Sequence, residues 1–287
     1  MGNLRFSGHE TFHCRNLWLK KGYDFIHDND KGFNDETAVV DLGVGKNMVG
    51  SINFWYKAFG FYNNDKLSND LFSEDGYDPY LEDIGTIWLL HYLLVKTNRA
   101  SIYSILFNQF RKERVEFTKD HLINYLMSYS EARGESNSEN TIEKDVGVFI
   151  KNYVRPSKTD SKKNIEDLYS SLLMELGLVK QMEHIEEDNR DWYRFELGEK
   201  ESLPIEIFLY SILNNDQFGN SISIQSLLND ENAPGNIFLL SPDDLINKIE
   251  LLVNHYNGLV YKEDAGLKEL QITTDFNEEH ILEDYYA

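Results

Sequence analysis

The sequence predicts a mostly α fold with small β hairpins, built as tandem winged-helix or helix-turn-helix-like units. Three observations predict it. Residues Ala38 to Phe61 read as a short helix, a glycine turn and a longer helix. Apolar residues recur at helical spacing along most of the chain, while strand-like runs are confined to Leu178–Glu183, Trp192–Leu197, Gly258–Tyr261 and Lys268–Thr273. Groups of helices also come in winged-helix order, three helices and then a hairpin.

From the N-terminus, Phe6-Ser7-Gly8-His9-Glu10-Thr11-Phe12-His13-Cys14-Arg15 opens the fold, and Asn16 to Lys21 reads as an aromatic-basic helical turn ended by Gly22. Ser7, His9 and Glu10 are expected to form a hydrogen-bonded network, structural or functional, that holds this first turn. His9-Glu10-Thr11-Phe12-His13 also fits His-Glu-x-x-His, which on a helix would place two imidazoles on one face for zinc with Glu10 as base. Gly8 directly precedes it, however, and no downstream helix supplies a third ligand; His27 lies in an Asp-rich turn.

The organising stretch follows. A helix from about Asn34 to Leu42 is capped by Asn34 or Asp35, Gly43 takes the positive φ of the turn, and Val44 points under it. Met48, Val49, Ile52, Tyr56 and Phe59 give the second helix an apolar face. Lys46, Asn47, Ser51 and Asn53 are assigned to the opposite face, where they can reach phosphates and base edges. Arg15, Lys20 and Lys21 are expected on phosphates. A P-loop is the rival reading of Gly43-Val44-Gly45-Lys46. It fails because Val40 stands where the first glycine belongs and Asn47 where Ser or Thr belongs. A hairpin that only packs is the plain alternative.

Beyond Phe61, Lys66 to Phe72 is read as the start of a wing, and Tyr77–Asp83 caps an apolar helix from Ile84 to Val95. Helices over Ile102–Phe110, Lys119–Met127 and Thr141–Tyr153 form a second unit. Arg111, Lys112 and Arg114 are read as its solvated face. Arg155 to Lys163 reads as a linker, Ile165 to Leu176 as a helix closed by Gly177, and the next two strand-like runs as a hairpin. Then come helices at Ile205–Leu213, Ile222–Leu228 and, capped by Ser241-Pro242, Leu245–Tyr256, ahead of a last hairpin turning at Asp264-Ala265-Gly266. Four parts are therefore expected: a helix-turn-helix-like domain over 1–85, a helical, winged-helix-like domain over 86–155, a linker helix plus hairpin over 156–202, and a winged-helix-like domain over 203–287.

The 287 residues carry a net charge of −21, which opposes phosphate binding. Residues 1–62 hold seven Lys and Arg against seven Asp and Glu, so the excess lies beyond them and a polyanion would dock here. One cysteine, Cys14, excludes a disulfide framework. With no signal-like or membrane-length apolar run, a cytoplasmic protein is expected.

Several phrases resemble one family: Phe6-Ser7-Gly8-His9-Glu10-Thr11-Phe12, Trp18-Leu19-Lys20-Lys21-Gly22, Leu42 to Val49 and Tyr77 to Asp83. Asp145 with Tyr153, Ala233-Pro234-Gly235 with Phe238, and Tyr285-Tyr286 fit it too. The chain is similar over nearly its whole length to the bacterial domain-of-unknown-function family numbered 4007. The resemblance implies a winged-helix-like protein of defence islands, beside enzymes of DNA sulfur modification. It brings no activity with it, and the family phrase does not extend to His13. The reading is a non-enzymatic DNA-binding component of a DNA-modification or antiphage system, with DNA and proteins of that complex as partners and no membrane. No cofactor, catalytic residue or metal is expected. The alternatives are an acidic scaffold holding a partner enzyme and a metal-dependent hydrolase using His9, Glu10 and His13.

Overall fold

The computed structural model describes residues 3–28, 32–62, 65–155, 171–183 and 190–287. It is mostly helical, with two small antiparallel sheets. The chain divides into two compact units, Met1–Phe195 and Glu196–Ala287.

The first unit begins with an extended segment, then α1 (Trp18–Asp28), α2 (Ala38–Asp41) and α3 (Lys46–Ala58). α1 runs through Gly22 rather than ending there. Gly22 meets α3 so closely that a Cβ would lie 3.1 Å from Tyr56 and 3.4 Å from Ile52. The glycine is there for close helix packing, not termination. Residues 66–72 are also not a wing: they form α4 (Lys66–Phe72), because the Asp65 carboxylate caps the Ser68 amide at 2.8 Å. α5 (Ile84–Thr97) is buried without interruption from Gly85 to Val95 and is the centre of this unit. Asp83 caps it by accepting from the Gly85 and Thr86 amides. Each of its buried Leu and Ile side chains contributes roughly 1.5–3 kcal/mol of hydrophobic stabilisation.

The remainder of the unit is one helical run, a short strand, two helices and a hairpin. The run consists of α6 (Ser101–Ile105), a π turn (Leu106–Phe110) and α7 (Arg111–Glu113). β1 (Glu116–Phe117), α8 (Lys119–Ala132), α9 (Glu139–Tyr153), a 3₁₀ turn (Leu172–Leu176), β2 (Val179–Gln181) and β3 (Tyr193–Phe195) follow. The hairpin expected from the sequence is present, and β1 joins it in the order β1-β3-β2. Two residues of strand are too short to leave a period-two pattern. Most of the linker expected between Arg155 and Lys163, the start of the helix expected from Ile165, and the hairpin's charged turn lie outside the described residues.

The second unit repeats that order. α10 (Ile205–Leu213), β4 (Ser221–Ser223), α11 (Ile224–Asn229), a short α12 (Pro234–Ile237), α13 (Pro242–His255), β5 (Leu259–Asp264) and β6 (Leu267–Ile272) precede α14 (Glu278–Tyr286). Its strands lie in the order β4-β6-β5, the same arrangement as in the first sheet. Ser241 and Asp244 form a capping box at α13, as the Ser-Pro-Asp-Asp run predicts. Among the described residues no helix is long and apolar enough to cross a membrane.

Candidate nucleic-acid interface

The turn between α2 and α3 is built on a small apolar cluster. Phe25, Ala38, Leu42 and Val49 are buried together, with Phe33 and Val44 packed on them. Gly43 has φ 65°, and nothing lies within 4 Å of where its Cβ would be, so the backbone conformation alone calls for glycine. Gly45 stands at the N-cap and offers no side chain to the first amides of α3. Met48, Val49, Ile52 and Tyr56 point inward or lie at the boundary, as their spacing predicts.

The outward stripe of α3 is Lys46, Gly50, Asn53 and Lys57, one helical turn apart, with Asn47 beside it. Lys46, Asn47, Gly50 and Lys57 are exposed. Among the described residues Lys46 and Lys57 form no ion pair or side-chain hydrogen bond. Asn53 is half-buried, and its Oδ1 has no hydrogen-bond partner there. Ser51 does not belong on this face. It is 0% exposed, and its hydroxyl donates to the His9 carbonyl at 3.0 Å. Its polarity satisfies a buried backbone oxygen, which a reading of helical phase alone assigns to solvent. The other cations differ among themselves. Lys21 is exposed; Lys20 is ion-paired with Asp24; Arg15 is half-buried, with its guanidinium over the rings of Phe12 and Trp18.

Across the inner part of α3 lies residues 7–15, which act as a strap. Ser7, Gly8, Glu10 and Thr11 all have positive φ, so the strap turns repeatedly in conformations that side chains disfavour. What holds it is Asp145 on α9. Its Oδ1 accepts from the Ser7 amide and from His9 Nε2, both at 2.9 Å. The Thr11 amide donates to His9 Nδ1, so Nε2 is the nitrogen that carries the proton. The His9 ring lies edge-on to Phe54 and stacked on Trp55, whose indole donates to the Phe12 carbonyl at 3.1 Å. One face of α9 further along, Asn152 accepts from the Cys14 amide at 3.0 Å and donates to the Tyr103 hydroxyl. Burial pushes the Cys14 thiol well above its ordinary value, the Tyr103 hydroxyl likewise, and the Tyr56 hydroxyl to about 12. Asp145 and Asn152 are the residues that sequence reasoning left without a role. Both are polar positions seven apart in an otherwise apolar helical face, and that is a readable sign of buried polar groups.

The strap disposes of the zinc-binding geometry for His9, Glu10 and His13. The segment is not a helix, and both ring nitrogens of His9 are engaged. Among the described residues no group of three or more His, Cys, Asp and Glu is placed to hold a metal ion. Glu10 is exposed, with its side chain 3.8 Å from where a Cβ of Gly50 would stand.

Residues 6–286 match the family described as "Protein of unknown function (DUF4007)", and the chain belongs to that family. None of the curated proteins matches it. Two solved structures, "SspB crystal structure" and "Magnesium ion-bound SspB crystal structure", are similar to it. Each shares 29% identity over 98% of this chain and 87% of the other, with a TM-score of 0.83.

Proposed function

We propose, starting from that family membership, that the protein is a DNA-binding, non-enzymatic component of a bacterial DNA-modification or antiphage defence system. One observation carries the DNA part. Exposed Lys46 and Lys57, without an ion pair among the described residues, share a stripe of α3 in a chain with 49 Asp and Glu against 28 Lys and Arg. Where carboxylates are in such excess, cations left without them on one helix face suit an external polyanion. Lys46 and Lys57 would take phosphates, Asn47 a base edge, and Lys21 a flanking phosphate, while the Oδ1 of Asn53 is buried and turned away from a base. Arg15 and Lys20 act indirectly, through stacking and an ion pair. The repeated order of helix, strand, helices and hairpin, with one extra short helix in the second unit, supports tandem winged-helix units. In the first of them the strap occupies the third helix, so the groove-reading role passes to α3. The test is a mobility shift at low salt with Lys46→Ala plus Asn47→Ala. Affinity is expected to fall about 30-fold, since two contacts of about 1 kcal/mol each are removed; unchanged affinity removes α3 from the interface.

A second reading rests on the other unit. Residues 196–287 hold four Lys and Arg against eighteen Asp and Glu, a net −14. α13, at the position of a third helix, turns Asp243, Asn247, Glu250 and Leu251 outward. That face repels DNA and suits a basic protein of the same system. A stoichiometric partner retained by the full chain and lost with Asp243→Lys plus Glu250→Lys would support it.

A further inference from the structure

The stripe on α3 leads past Lys57 to Tyr62, which follows the helix and keeps 40% of its surface exposed. Arg99 lies over the Tyr62 ring, its Cζ 4.7 Å from the centroid. Among the described residues this ring is the only partner of the Arg99 side chain, so the donors of its guanidinium are uncommitted to any acceptor. Arg5 is also exposed here: its amide donates to the Ser101 hydroxyl at 2.9 Å, and its carbonyl accepts from the Ser101 amide.

The ring pair is not required to hold this corner together. The Thr97 hydroxyl already donates to the Ala58 carbonyl at 2.6 Å. Gly60, at φ 92°, comes so near that a Cβ would lie 2.9 Å from the Thr97 methyl. Phe61 is buried between Tyr56 and Phe72. The nearest carboxylate along the chain, that of Asp65, whose amide donates to the Tyr62 carbonyl, is committed to the Ser68 amide at 2.8 Å. An exposed aromatic ring with a guanidinium stacked on it, on the chain just beyond Lys57, has the make-up of a base-stacking platform. Such platforms serve unpaired bases, because a base inside a duplex already has both faces covered.

We propose that this corner binds DNA carrying an unpaired base, stacked on Tyr62 and Arg99, while the adjoining backbone follows Lys57 towards Lys46. The inference rests on the DNA reading of α3 and narrows it to partly single-stranded DNA. Lys46 and Lys57 are about 16 Å apart along the helix, room for several nucleotides of backbone.

The experiment uses the full chain and two probes, a single-stranded oligonucleotide containing 2-aminopurine and the matching duplex. Wild-type protein is expected to bind the single strand and change the 2-aminopurine fluorescence. Tyr62→Ala should weaken single-strand binding about 5- to 100-fold, with duplex affinity within about twofold of wild type and an unchanged melting temperature. Tyr62→Trp should restore it, and Arg99→Ala should weaken it. The proposal is overturned if wild type binds duplex but not the single strand, or if Tyr62→Ala leaves single-strand affinity unchanged. It is equally overturned if Tyr62→Ala weakens both probes along with the fold. Wild-type protein that binds neither probe overturns the DNA reading itself, and that outcome is distinct from the others.

Discussion

Asp145 receives two donors on one oxygen, and both come from a segment about 138 residues away in sequence. Removing that carboxylate leaves a buried imidazole N–H and a backbone amide without acceptors. Asp145→Ala is therefore expected to cost roughly 1–3 kcal/mol, with Asp145→Asn costing less because an acceptor remains. In thermal denaturation this is a fall of about 2–4 °C per kcal/mol; an unmoved melting temperature would detach the strap from α9. Glu10 makes the complementary prediction. It is the carboxylate beside the cationic stripe, so Glu10→Gln should tighten DNA binding about two- to fivefold at low salt. Weaker binding in that variant would show Glu10 taking part in recognition. At this scale the sequence was half legible. Lys46 and Asn47 could be placed from the turn geometry, but Ser51 could not, because its partner is a backbone oxygen 42 residues away. Tyr62 and Arg99 meet only after α5 returns, and nothing local announces the pairing.

Helix ends and crossings form the next scale. α8 is capped by a box in which the Thr118 amide donates to His121 Nδ1 and the His121 amide donates back to the Thr118 hydroxyl. Burial first, then Arg114 and Arg190, hold the His121 imidazole below its ordinary value near 6.5. The folded state thus prefers the neutral ring, which is also the form that can accept. Because the folded value lies below the unfolded one, the contribution is complete above about pH 6.5 and is lost as pH falls towards the folded value. An NMR titration should find His121 protonating below 6.5, and the first turn of α8 should lose amide protection over the same range; a value at or above 6.5 would contradict this. At the α1–α3 crossing, Gly22→Leu would drive a side chain into Tyr56 and Ile52, at about 1–3 kcal/mol in urea denaturation. Elements with their own caps, such as α5 and α13, could be placed closely from sequence. α1 was cut short because a glycine required by packing looks the same as one required by termination. α4 was misassigned because Lys66 to Phe72 was read as a wing although the Asp65 carboxylate caps it as a helix.

For the whole molecule, charge is the organising quantity. Two thirds of the net −21 lies in residues 196–287, and the first unit carries the rest. On the proposed DNA reading, so acidic a chain would meet phosphates at few points, and a shallow salt dependence is expected. With Lys21, Lys46 and Lys57 as the phosphate contacts, the slope of log K against log salt should be about −3 or less steep. A slope steeper than about −5 would require cations beyond these. The duplicated topology was visible in the sequence only as a recurring order of elements. The two copies share no repeated phrase, since what fixes such an order is the placement of apolar positions rather than their identity.

The one cysteine of the chain turns the strap into something that can be timed. Cys14 is 0% exposed and its thiol stays protonated, so in the closed molecule a maleimide finds neither access nor a thiolate. Labelling then proceeds only through molecules whose strap has lifted from α9. A plain alkylation assay becomes a clock for that opening, and DNA docked on α3 should make it run slower.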